Sequence, residues 1–465
     1  MTRQLKALHR PIPKWLLMPP SAALGNWLLV FAVVAACIFV IRGTSHRPGA
    51  GLVQAYILDL GLIHWVAAFL YLLPWYTNHD PDVVTLGLQQ STYALIGFGL
   101  GSLLLAPGFA RAAGVPSGRT PLRPSEPQLA RKFVLIGVFV FFGLTPAVGR
   151  IPTVSAIAVQ GWNLLVLGLG LMCWQTWQAK RSREFLRWLS ISLCLPLVTV
   201  VTAGFIGYGT AAATAILAFI GSFYRPRWKT LLGAVVLGYV ALSLYVTYMR
   251  DRELIREVVW SGQPLAARVQ RVQLTLSTFE WFDLHNRDHL VRVDDRLNQN
   301  LLVGAAVQYM DAGLARFAYG QTIYQGFIAV VPRVIWPTKP VVAGSGTLVT
   351  QYTGIPFAEG TAVGIGHVME AYISFGTLSV LFGFALLGTL VGTIDYAAGR
   401  HLWAGDLRGF LRWLLPGLSF LQVGGSIVEL TSSVAAAVLA AWLVNRLLRP
   451  AAAPLRTQSH VMANA

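Results

Sequence analysis

The chain has 465 residues, with Lys+Arg 36 against Asp+Glu 19, 12% charged, 55% hydrophobic and 11% aromatic residues, and a mean hydropathy of +0.59. A soluble domain carries about 25% charged residues, so this composition excludes an ordinary globular protein, and equally a disordered, collagenous or disulfide-stapled one. The formal net charge of +17 needs no nucleic acid to explain it, because the basic residues gather in short stretches between apolar runs, where they meet anionic lipid.

In chain order, the N-terminus is basic (Arg3, Lys6, Arg10, Lys14) and broken by Pro11, Pro13, Pro19 and Pro20. No small-residue cleavage site closely follows a short apolar core, so no removed signal peptide is expected. A membrane-crossing helix needs about 20 mostly apolar residues. By that measure eleven spans are predicted near 24–41, 52–74, 84–106, 133–149, 152–173, 188–203, 205–223, 230–249, 371–394, 409–424 and 427–445. The breaks at Ala203-Gly204 and Gly424-Gly425 rest on glycine turns, and a total of about ten to twelve spans fits the same pattern. Cys37, Cys173 and Cys194 all sit inside apolar runs and imply no disulfide framework.

Short loops rich in Lys and Arg stay cytoplasmic. Those at 42–51, 107–132, 180–187, 225–229, 400–412 and 446–456 alternate with poor ones, among them the loop with His79, Asp80 and Asp82. The long segment after Arg250 therefore lies outside the cytoplasm. With eleven spans the basic N-terminus would lie outside too, which conflicts with the same rule. The reading is an all-α polytopic membrane protein: 1–249 an N-terminal bundle of about eight spans, 250–362 an extracytoplasmic loop with amphipathic and re-entrant helices, 363–447 about three further spans, and 448–465 a cytoplasmic tail.

A loop of this length between spans is far beyond the usual connection and points to function. Its eleven Lys/Arg and ten Asp/Glu nearly cancel. In the first part, helical spacing places Arg252, Arg256, Arg268 and Arg271 on a solvated face. Further on, the apolar run Phe327 to Val331 is too short to cross and ends in Pro332, Arg333, Trp336, Pro337, Lys339 and Pro340. This predicts a helix at or dipping into the outer leaflet, which delivers Arg333 and Lys339 to headgroup level. There they meet either bilayer phosphates or a lipid-linked phosphate.

His367, Glu370 and Ser374 stand at i, i+3 and i+7, on one face at the start of the ninth predicted span. Ionisable groups beside an apolar segment are read as functional, with Arg333, Arg296 or Lys339 as partner. His367 reads either as a catalytic group or as an interface histidine. Glu429, Asp59 and His64 are further polar residues in spans, and Asp59 reads as a hydrogen-bonded structural carboxyl. Neither a Gly-rich phosphate loop nor a zinc-spaced Cys/His set is present, so no metal and no cofactor is expected.

The Arg-Leu-Asn segment at Arg296, the stretch YGQTIYQGFIAVVPRVIWPTKP from Tyr319 to Pro340, and the Gly-x-x-x-Glu-x-Tyr-x-x-Phe-Gly pattern from Gly366 to Gly376 together resemble the Wzy-type oligosaccharide repeat-unit polymerases. The likeness covers about 80 residues of motif, and Ser374 stands where family members often have Asn. It implies transfer of a growing glycan from an undecaprenyl-pyrophosphate carrier to a lipid-linked repeat unit, at the outer face of a bacterial inner membrane. It implies Arg333, Lys339 and Arg296 on the pyrophosphate, Glu370 or His367 as general base, and Arg292, Tyr319, Tyr324 and Trp336 as substrate contacts, with Tyr309 stacking or packing. A chain-length regulator and a flippase are the partners it suggests, besides the membrane lipid. Rival readings are an O-antigen ligase reaction and a flippase or transporter. An exosortase-like protease is disfavoured because no cysteine lies near the outer face.

Overall fold

A computed structural model describes residues 20–45, 48–113, 127–149, 151–224, 228–331, 335–336, 338–340, 344–357 and 363–448. Among the described residues every regular element is a helix. In chain order they are α1 Pro20–Thr44, α2 Leu52–Leu70, α3 Pro81–Ala112, α4 Gln128–Val148, α5 Pro152–Gln178, α6 Ser182–Ala203, α7 Gly207–Phe223 and α8 Trp228–Trp260. There follow α9 Leu265–Ser277, α10 Arg287–Leu297, α11 Gln299–Asp311, α12 Gln321–Val330, α13 Ser345–Thr353, α14 His367–Phe375, α15 Thr377–Trp403, α16 Leu407–Leu418 and α17 Ile427–Leu447.

Nine of these described helices are long and apolar enough to cross a membrane. The protein is thus an all-α, multi-pass membrane protein. Two predicted spans fall short of that length: 205–223 is the 17-residue α7, and 409–424 is the 12-residue α16 with a short 3₁₀ turn after it. The eighth predicted span ends at 249, yet α8 continues to Trp260, so the charged stretch after Arg250 extends a span and is not a separate interfacial helix. The ninth was predicted as one helix over 371–394. The chain instead breaks at Gly376 (φ 77°, ψ −160°), a conformation open to glycine and closed to most side chains, which makes α14 a helix of its own. Within α3 and α4, π-helical turns at Gly101–Leu105 and Phe139–Leu144 precede Pro107 and Pro146, whose missing N–H the wider turn accommodates.

The core runs through α2, α3, α5, α15 and α16. At the end of α15 away from Thr377, Asp395 is fully buried and binds α1 and α2 together. One carboxylate oxygen accepts the N–H groups of Ala50 (2.9 Å) and Leu52 (2.8 Å), and the other pairs with Arg42. No sequence pattern singled out this lone acid.

The segment between α8 and α15 packs into the opposite end of the bundle. Asp294 of α10 accepts from Tyr71 (2.7 Å) and Tyr76 (3.0 Å), just past the end of α2, and from Asn78. Asn300 of α11 bonds to His64, well inside α2, through Nδ1 (2.8 Å) and the backbone carbonyl (2.6 Å). The α10–α11 pair is therefore a helical hairpin whose tip dips alongside α2. Glycine makes room for it: a Cβ on Gly87 of α3 would collide with the Asn300 backbone, and one on Gly304 with the carbonyl of Val83.

Candidate functional site

Helix α14 starts deep in the bundle. Gly366 and His367 donate their N–H groups to the carbonyls of Gly424 (3.1 Å) and Val423 (3.0 Å), in the turn before α17, and Gln299 at the hairpin tip donates to Gly364 (2.8 Å). These bonds set the first turn of α14 beside α2, where Tyr56 Oη meets His367 Nδ1 at 3.0 Å. One turn on, Glu370 is 0% exposed. Its Oε2 accepts the N–H of Ile427 at 2.6 Å, the first residue of α17, so the carboxylate sits on the positive end of that helix.

The rest of that helix start is closed by a capping box. Ser426 Oγ accepts from Glu429 N, and Glu429 Oε2 accepts from Ser426 N (3.1 Å). Glu429 is thus spent on capping. Glu370 Oε1 and His367 Nε2, by contrast, are buried without a hydrogen-bond partner among the described residues. Burial pushes the Glu370 carboxyl up to about 7, against the opposing effect of the Ile427 N–H, and holds the His367 imidazole down to about 4. The chain therefore presents a carboxylate able to accept a proton near neutral pH and a neutral imidazole, one helical turn apart.

Ser374, the third residue of that face, bonds its hydroxyl to the Glu370 carbonyl (2.9 Å) and offers nothing to a ligand. Asp59 departs from expectation, because its buried Oδ2 has no hydrogen-bond partner among the described residues. The acidic loop is structural: Asp80 caps α3 by accepting from Asp82 N (2.9 Å).

Arg333 lies outside the described residues. Lys339 donates to the carbonyls of Ala329 (2.9 Å) and Val331 (3.0 Å) at the end of α12, and Arg292 pairs with Glu280 (3.2 Å). Arg296 is exposed and lies within electrostatic reach of Arg252, which in turn feels Arg256. The solvated-face reading of those two α8 arginines is overturned. Their side chains are only 13% and 9% exposed and both share Glu253, and Arg256 is covered by the turn between α6 and α7, where its Nε donates to the Gly204 carbonyl. Arg256 also lies over the Phe205 ring at 4.4 Å.

Among the aromatic candidates, Tyr319 is exposed and held at φ 46° by the bonds of Ala318 and Tyr319 N–H to Ile373 and Ser374 at the end of α14. It forms an edge contact with Phe375. Tyr324 is exposed on α12, Trp336 is partly exposed beyond it, and Tyr309 packs against Gly354. Residues that sequence reasoning missed are Tyr56, Gln299 and Asn300. An isolated tyrosine in an apolar span carries no signal, and only the Asn-Gln-Asn cluster at 298–300 hinted at a polar turn.

An all-α multi-pass membrane protein with a buried carboxylate and imidazole on a short helix inside one end of the bundle is the class that this architecture defines. Residues 124–448 match the family described as Domain of unknown function (DUF8712), and the chain belongs to that family. No curated protein and no solved structure matches it.

Proposed function

We propose that the protein is a polysaccharide polymerase of the Wzy type, an integral-membrane glycosyltransferase acting at the outer face of a bacterial inner membrane on undecaprenyl-pyrophosphate-linked oligosaccharides. The observation that carries this reading is Glu370, a fully buried carboxylate with one oxygen on a helix N-terminus and the other unpartnered beside His367. Ionisable groups in such surroundings cost stability and are kept for function.

The donor already carries a good leaving group, so the protein's work is to remove one proton and to stabilise one developing charge. Glu370 takes the proton from a sugar hydroxyl of the incoming repeat unit. The hydroxyl oxygen bonds to the anomeric carbon of the growing chain, and the bond from that carbon to the pyrophosphate oxygen breaks. The electron pair leaves with the pyrophosphate, which stays on its lipid. The proton on Glu370 then returns to water. Arg296, with Arg252 behind it, supplies positive charge for the pyrophosphate, and Arg333 is assigned the same role from the sequence alone. Tyr319 offers a ring face to a sugar.

A deletion strain analysed for surface polysaccharide tests the reading. Single repeat units left on the carrier are expected. Long unattached chains would mean a ligase, and intermediates trapped on the cytoplasmic leaflet a flippase. Glu370→Gln at unchanged abundance should reproduce the deletion, and normal polymer in that strain would remove Glu370 from the reaction.

A further inference from the structure

We propose that His367 is a hydrogen-bond donor to an oxygen of the bound glycan, through Nε2–H, and that Tyr56 is the positioning residue that fixes this tautomer. The inference rests on the reading of this site as a glycosyl-transfer centre and divides the labour within it: Glu370 accepts, His367 donates.

The argument begins at the phenol. Tyr56 is fully buried, with its ring stacked on Phe98 (centroids 4.4 Å apart, 14° between planes), and the 3.0 Å contact with His367 Nδ1 is the hydrogen bond its hydroxyl makes. A neutral phenol carries one proton, and we infer that it is donated to Nδ1, the one hydrogen-bond partner of this hydroxyl among the described residues. A neutral imidazole has one N–H, so with Nδ1 accepting, the ring proton is on Nε2. The backbone that carries the ring is fixed, because the His367 N–H is held by Val423 and its helix is pinned at Gly366 by Gly424. Nε2–H is thus buried with no acceptor among the described residues. Such a donor is destabilising by itself, and a group of this kind persists where a ligand completes it.

The neighbouring unpartnered atoms have the complementary chemistry. Glu370 Oε1 lies one helical turn along α14, and Asp59 Oδ2 one turn along α2 from Tyr56. An imidazole and two carboxyl groups, each with a buried atom unpartnered among the described residues, suit a ligand whose groups both donate and accept. A sugar hydroxyl is such a group, and a hydrocarbon chain is not.

Two measurements test this. In detergent-solubilised full-length protein with ¹⁵N-labelled histidine, the His367 resonance, assigned by its loss in His367→Gln, should report the Nε2-protonated tautomer at neutral pH. In Tyr56→Phe it should shift toward a mixture of both tautomers. An Nδ1-protonated or doubly protonated ring in the unaltered protein overturns the proposal. In cells, His367→Gln, which keeps an amide donor near Nε2 but cannot titrate, should retain polymer, whereas His367→Leu should lose it by about a hundredfold. Tyr56→Phe should lower polymer about tenfold. If Gln proves as inactive as Leu at equal abundance, the imidazole acts as a base and the donor assignment fails. That failure is distinct from failure of the polymerase reading, which Glu370→Gln decides.

Discussion

Glu370 Oε2 and the backbone N–H of Ile427 lie 2.6 Å apart, joining the first turn of α14 to the first residue of α17. A carboxylate is thereby held on a helix dipole while burial disfavours its charge, and the two effects oppose each other. Burial wins, which leaves the group poised near neutrality.

This poise has a pH signature. The folded-state value, about 7, lies above the ordinary 4.5, so the folded protein binds the proton more tightly than the unfolded chain. The protonated carboxyl is favoured by folding at low pH, and that advantage is lost as pH rises through about 7. Glu370→Gln should therefore match the parent in thermal stability at pH about 5 and exceed it at pH about 8, by an amount of order 1–3 kcal/mol. Under the proposed polymerase reading, with Glu370 as the base, polymer formation by the parent should rise over the same interval, since that base must be ionised. Equal melting temperatures at the higher pH would show that the carboxyl carries no such burden.

Asp395 anchors the other end. Asp395→Ala removes the carboxylate that pairs with the Arg42 guanidinium and accepts the N–H groups of Ala50 and Leu52. The expected loss is about 3–5 kcal/mol, seen as failure to accumulate in the membrane, with Asp395→Asn milder because one oxygen still accepts.

At the insertion end, Asp294 gathers four donors: Tyr71, Tyr76 and Asn78 on one oxygen, and Asn298 (2.7 Å) on the other. Burial and the adjacent Asp294 charge push both tyrosines well above their usual range, so they stay protonated donors. Asp294→Ala should cost at least about 2 kcal/mol and loosen the α10–α11 hairpin. Faster hydrogen exchange confined to residues 287–311 is the expected pattern, and exchange unchanged there would contradict it.

The hairpin seat depends on a missing side chain. Gly87→Ala should push the Asn300 backbone away from α3 and destabilise the protein by about 1–3 kcal/mol. Because Asn300 leads directly to Gln299 and the start of α14, the proposed polymerase reading has polymer fall as well. Gly108→Ala, where nothing lies within 4 Å, is the control and should be silent.

Much of the architecture was legible in the sequence because crossing a membrane imposes a length and an apolarity that one run of residues must satisfy by itself. The runs at 24–41, 152–173 and 427–445 became α1, α5 and α17 for that reason. The pairing of His367 with Glu370 on one helical face was legible from their i, i+3 spacing. Where the helix containing them ended was not, since Gly376 reads like any other glycine until its backbone angles are known.

The sequence by itself determined a helical membrane protein, with a histidine and a glutamate on one helical face, because composition and periodicity are local properties. Only the tertiary structure decided that Tyr56 faces His367, that Ile427 meets Glu370, and that Arg252 and Arg256 are covered rather than solvated. Those contacts join residues from about 50 to more than 300 positions apart in the chain, and which distant groups meet is fixed by how helices pack, not by the spacing of residues along any one of them.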